Sequence, residues 1–106
     1  MRKLLLISAL LATIALAGNL QQEPRNRPRN VTLNWIASAS KGVTYNVYRS
    51  VTSGTGYQKI ASGIATLSYI DTHQKSGTYY YVVTAVDPTA SPTESSASNE
   101  AKAVVP

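Results

Sequence analysis

Ser76-Gly77-Thr78-Tyr79-Tyr80-Tyr81-Val82-Val83-Thr84-Ala85-Val86-Asp87 is the stretch that decides the fold. From Thr78 to Val86 nearly every residue is β-branched or aromatic, the types that suit a pleated, half-buried surface. Lys75-Ser76-Gly77 supplies a turn before it. Asp87 opens a loop rich in Pro, Ser and Thr that runs to Ser98. Counting back by twos from Ala85 sends Val83, Tyr81 and Tyr79 to one face, inward. Tyr80, Val82, Thr84 and Val86 then point outward. This is the longest predicted strand of the chain.

The same period of two extends on either side. Val31, Leu33 and Trp35 alternate with Thr32, Asn34 and Ile36. Ser38 to Gly42 is a turn cluster. Val43, Tyr45 and Val47 alternate with Thr44, Asn46 and Tyr48. Ser53-Gly54-Thr55-Gly56 turns again, Tyr57 to Ala61 is a short strand, and Ser62-Gly63 breaks it. Leu67, Tyr69 and Ile70 lie in a further strand ending at Asp71, and Ala101 to Val105 closes the series. No helix signal follows residue 18, and there is no internal repeat. Short strands separated by turns describe an all-β, two-sheet sandwich.

The N-terminal part reads differently. Arg2 and Lys3 precede an uncharged run, Leu4 to Ala17, of 14 residues. A bilayer span needs about 20 apolar residues. The short run and the Ala15-Leu16-Ala17 triplet predict a cleavable secretory signal over 1–17. An uncleaved leader would instead anchor the chain or pack in an assembly. Residues 18–29 form a linker of Gln, Asn, Arg and Pro, a solvated tether. The net charge is +5, but it sits mostly in leader and linker, at Arg2, Lys3, Arg25, Arg27 and Arg29. From Asn30 onward Lys/Arg and Asp/Glu nearly balance. A nucleic-acid-binding face on the domain is therefore not expected. The absence of cysteine excludes disulfides, so the domain over 30–106 must be stable on packing alone, helped by seven Tyr and one Trp.

Several segments together resemble fibronectin type III domains. Val31-Thr32-Leu33-Asn34-Trp35 resembles strand B, Tyr45-Asn46-Val47-Tyr48-Arg49 strand C, Ser76 to Asp87 strand F, and Ser98-Asn99-Glu100-Ala101 the lead-in to strand G. The wording is similar to modules of secreted bacterial proteins, often attached to polysaccharide-degrading enzymes. The resemblance implies an immunoglobulin-like sandwich of about seven strands. It places Trp35, Tyr45, Tyr69 and Tyr79 in the structural core. Tyr79 takes the tyrosine-corner position, its hydroxyl bonding back to backbone near the strand's start. The family's first strand is weak or missing: either Gln21 to Arg29 forms a poor strand, or that edge is open to self-association. Strands C and F are neighbours in the family. Outward Tyr48, Tyr80 and Val82, extended by Tyr57, therefore form a candidate binding patch. The same residue types also suit an ordinary solvated sheet face.

The sequence offers little chemistry. Asp71-Thr72-His73 provides two ligands on one loop, where stable zinc sites take about three or four. No metal site or cofactor is expected. Asp71, Asp87, Glu94 and Glu100 fall in predicted loops or strand ends, without a cleft to hold two carboxylates about 5–10 Å apart. No positioned nucleophile, Gly-rich phosphate loop or Arg-Gly-Asp occurs. Asn30-Val31-Thr32 is a glycosylation sequon, relevant only in a eukaryotic secretory pathway. The expectation is a non-catalytic extracellular protein-interaction or spacer module, secreted, periplasmic or at the cell surface. Its partner would be a protein or a polysaccharide. The alternatives are a carbohydrate-binding accessory domain and a subunit of an extracellular assembly or filament.

Overall fold

Alternating side chains sort seven strands into two antiparallel sheets in the computed structural model, which describes Leu10–Ala15 and residues 28–106. The strands are β1 (Leu10–Ala15), β2 (Arg29–Trp35), β3 (Thr44–Ser50), β4 (Gln58–Ile64), β5 (Ser68–Gln74), β6 (Gly77–Val86) and β7 (Ala101–Val105). One sheet runs β1-β2-β5 and the other β4-β3-β6-β7. The predicted all-β sandwich is the observed one.

The core follows the period of two. Val31, Leu33 and Trp35 of β2 meet Tyr45 and Val47 of β3, Tyr81, Val83 and Ala85 of β6, and Ala101, Ala103 and Val105 of β7. Each fully buried Val or Leu stabilises the fold by roughly 1.5–3 kcal/mol. The Trp35 and Tyr45 rings pack edge-to-face with centroids 5.5 Å apart, the orientation that brings a positive ring edge to a negative face. The Tyr45 hydroxyl also accepts from the Ser38 amide at 3.0 Å, which fixes the β2–β3 turn. Tyr69 and Tyr79 pack against the core while only partly buried. The Tyr79 hydroxyl donates to the Lys75 carbonyl at 2.7 Å, the backward bond of a tyrosine corner.

Four features depart from the sequence reading. First, the edge beside β2 is not open. Leu10–Ala15, read as the core of a leader, pairs with β2 from Leu10↔Trp35 to Ala15↔Asn30. A missing first strand is thus corrected: the strand exists and comes from further upstream. An uncharged run of Leu, Ile, Ala and Thr serves equally as leader core or as strand, so periodicity alone does not separate them. Gln21 to Arg27 lie outside the described residues. Second, Arg29 is buried within β2 rather than belonging to a solvated tether. Third, β4 continues through Ser62-Gly63 to Ile64. Gly63 takes φ 65° and the β3–β4 register shifts along the way. Glycine accepts that backbone at no steric cost, so a residue read as a breaker acts as a bulge. Fourth, Asp71 lies inside β5, opposite Val31, and is buried.

Candidate functional site on the outer face of the four-stranded sheet

The β3–β6 register places Asn46 opposite Thr84, Tyr48 opposite Val82, and Ser50 opposite Tyr80. On β4, Lys59 stands opposite Tyr48, and on β7, Lys102 opposite Tyr80. The predicted outward residues Tyr48, Tyr80 and Val82 therefore share one face. Tyr48 and Tyr80 are half-buried, whereas Val82 is buried and offers no apolar contact to solvent. Tyr57, also half-buried, precedes β4 and belongs to a neighbouring cluster.

That face is organised by Glu94, a residue the sequence reading left in a loop. Its Oε2 accepts from Asn46 Nδ2 at 3.2 Å, from Thr84 Oγ1 at 2.6 Å and from the Tyr48 hydroxyl. These donors, together with the Lys59 charge, hold the Glu94 carboxyl below its ordinary range. Burial and then the bond to Glu94 push the Tyr48 hydroxyl upward. The Lys59 ammonium stands 5.9 Å from the Tyr48 ring centroid, within cation–π range. The result is an aromatic ring framed by an amide, a hydroxyl, a carboxylate and an ammonium.

Glu94 reaches the sheet because its own segment runs along β6. The Asp87 amide donates to the Thr93 carbonyl, Ser95 N to Ala85 O at 2.9 Å, and Ser98 N to Val83 O at 2.9 Å. The return bonds are made by hydroxyls: Ala85 N donates to Ser95 Oγ and Val83 N to Ser98 Oγ, each at 2.9 Å. Residues 93–98 thus form an irregular extension of β7, with serine side chains standing in for ladder carbonyls. The spacing Ser95-x-x-Ser98 beside a long strand was the available signal for this.

A second carboxylate, Glu100, gathers the β3–β4 loop. It accepts from Ser53 Oγ at 2.6 Å, from the Gly54 amide at 2.8 Å and from the Tyr57 hydroxyl. Those bonds, Ser53 first, lower its pKa. Tyr57 is raised by burial and by Glu100. Of the four predicted patch residues, Tyr48 bonds to Glu94, Tyr57 bonds to Glu100 and Val82 is buried, so they do not make one apolar surface.

The inner side of the same strands carries a network that the sequence did not reveal. Arg49 Nη1 donates to both Asp71 carboxylate oxygens at 2.8 Å. The Tyr81 hydroxyl donates to Asp71 Oδ2 at 2.6 Å, and Gln74 Nε2 to Oδ1 at 3.2 Å. Burial would lower the Arg49 pKa, but the bonds to Asp71 outweigh it and the group stays charged. Burial pushes Tyr81 up strongly, with Asp71 adding to it. The network ties β3 and β6 of one sheet to β5 of the other.

A general acid needs a carboxyl raised toward the working pH, and both Glu94 and Glu100 are lowered. Among the described residues no three of His, Cys, Asp and Glu come together as metal ligands. His73 is exposed, with φ 58°, and its amide donates to Asn30 Oδ1 at 3.3 Å.

No family model matches the sequence. Over 74 residues the chain is 45% identical to an amylopullulanase of Thermoanaerobacter thermohydrosulfuricus. That match covers 69% of this chain and 5% of the enzyme, so the chain spans about a twentieth of the relative's length. Among solved structures, a Fn3-like protein from Clostridium thermocellum superposes with a TM-score of 0.71 at 33% identity, covering 91% of this chain and 86% of that one. A beta-1,2-glucanase from Parabacteroides distasonis gives a TM-score of 0.61 at 29% identity, covering 97% of this chain and 14% of the enzyme.

Proposed function

Because the chain belongs to the fibronectin type III family, we propose that it is a non-catalytic accessory module of bacterial glucan breakdown, acting outside the cytoplasm after export. The observation that carries this reading is the amylopullulanase match: a stretch of 74 residues that makes up only 5% of a much longer enzyme. Such a piece corresponds in size to one sandwich, and in this chain the carboxyls of Glu94 and Glu100 are both lowered, where a general acid is raised. The superposition on a segment of a glucanase, 14% of that chain, agrees with it. A small sandwich with a tight core spaces or presents other domains without doing chemistry itself.

The half-exposed rings of Tyr48 and Tyr80 favour a second reading, in which the module touches the glucan. A tyrosine ring stacks on the apolar face of a pyranose, and flanking polar groups bond its hydroxyls. Incubation with starch and pullulan tests the first reading: no reducing ends should appear. Turnover that is lost on Glu94→Gln would overturn it. Co-sedimentation with insoluble starch separates the two readings. Retention abolished by Tyr48→Ala with Tyr80→Ala selects the glucan-binding module, and no retention selects the spacer.

A further inference from the structure

Strand β1, Leu10–Ala15, lies within the predicted leader, 1–17. Cleavage after Ala17 would cut the chain between β1 and β2, leaving Leu10–Ala15 held only by non-covalent contacts, its pairing with β2 and its packing against β7 and β6. The segment that stays attached, 18–28, carries Pro24, Pro28 and two of the linker arginines. Proline gives no ladder N–H, so this segment is a poor substitute for β1. The β2 edge would then present unpaired backbone groups, which seek another strand.

The sequence of β2 shows which strand fits. Asn30-Val31-Thr32-Leu33-Asn34 reads alike in both directions by residue class. In the structure β1 sets Ile14 opposite Val31, Thr13 opposite Thr32 and Ala12 opposite Leu33. A second β2, antiparallel about Thr32, would set Leu33 opposite Val31, Thr32 opposite Thr32 and Val31 opposite Leu33. The order aliphatic, threonine, aliphatic is reproduced. Val31 and Leu33 are fully buried on the core side, while Asn30 and Asn34 are exposed on the other. Each Asn30 would face Asn34 of the second copy, a neutral pair able to exchange amide hydrogen bonds. Such an interface is isologous and closes after two copies.

We propose that removal of the leader converts the β2 edge into a dimer interface, with β2 of a second copy taking the place of β1. This rests on the export reading above. The test uses the full chain with a specific protease site inserted within 18–27 and cut after folding. One strand pair makes a small interface, below about 1,000 Å², so sedimentation is followed into the millimolar range. The uncut chain should stay monomeric. The cut chain should release its N-terminal fragment and double in mass as concentration rises.

Asn30→Lys with Asn34→Lys places like charges directly opposite one another and should abolish the dimer. Asn30→Glu with Asn34→Lys should restore it. Both positions are exposed, so the uncut variants should stay folded and monomeric, each losing only the bond from the His73 amide to Asn30. A cut chain that stays monomeric, unfolds or keeps its fragment overturns the proposal, as does a double-lysine variant that still dimerises. Intact mass of the exported natural protein addresses the leader separately: an N terminus that retains Met1–Ala17 would overturn the proposal for the natural protein, whatever the cut chain does.

Discussion

The Tyr81 hydroxyl donates to Asp71 Oδ2 at 2.6 Å across the sandwich, joining β6 of one sheet to β5 of the other. Arg49 supplies the charge that makes this burial tolerable. Removing Asp71 leaves the buried Tyr81 hydroxyl without its acceptor and Arg49, 30% exposed, without its partner, at a cost of about 3 kcal/mol. Asp71→Ala should therefore destabilise the domain by about that amount in urea denaturation. Arg49→Met, Asp71→Leu and Tyr81→Phe together should recover much of the loss, because neither an unpaired charge nor an orphaned Tyr81 hydroxyl remains. A double-mutant cycle reads the coupling.

Tyr79→Phe keeps the packed ring and deletes only the bond to the Lys75 carbonyl. The expected loss is about 0.5–1.5 kcal/mol, the net worth of one hydrogen bond, since the exposed carbonyl can turn to water. Thermal melting of the two proteins checks it. A loss as large as that of Asp71→Ala would mean that the corner orders the whole β5–β6 turn.

The two serines should behave unlike ordinary surface serines. Ser95→Ala and Ser98→Ala each strand a buried amide, that of Ala85 or Val83. A buried unsatisfied group costs about 1–3 kcal/mol. Hydrogen exchange at those two amides should rise with each substitution. A change at Ala85 alone for Ser95→Ala, and at Val83 alone for Ser98→Ala, would identify the bonds one by one.

Glu94 makes stability depend on pH. Its folded-state pKa is lowered, by the bonds from Thr84 and Tyr48 first. The contribution is therefore present above the unfolded carboxyl value and is lost as pH falls through the folded one. Glu94→Gln should be less stable than the parent at about pH 7, with the difference closing below about pH 4. Denaturant midpoints at several pH values measure this. A difference constant across that range would show that the carboxylate charge contributes nothing.

Much of the fold was legible because strand periodicity is a local code. Trp35 and Tyr45 fall on the inward parity of their own strands, and the structure buries both. Counting along one strand sends Tyr79 inward, and the family resemblance assigns it the corner. The outward patch was legible only by half. Parity put Tyr48, Tyr80 and Val82 on one face, but it carried no information about what lies over them. Glu94 arrives from 46 residues beyond Tyr48, and Glu100 from 43 beyond Tyr57.

The sequence by itself determined the all-β class and the strand faces, because alternation and turn residues act over a few neighbours; the corner role of Tyr79 is what the family resemblance implies. Only the tertiary structure decided three things. It brought Arg49 to Asp71, 22 residues apart, and Asp71 to Tyr81, 10 apart, because these meet only when two sheets stack. It turned a loop rich in serine into an extension of β7, because β6 offered unpaired amides. It set Leu10–Ala15 beside β2, because an uncharged apolar run takes its role from whichever partner is within reach, and here the partner is an edge of the same chain.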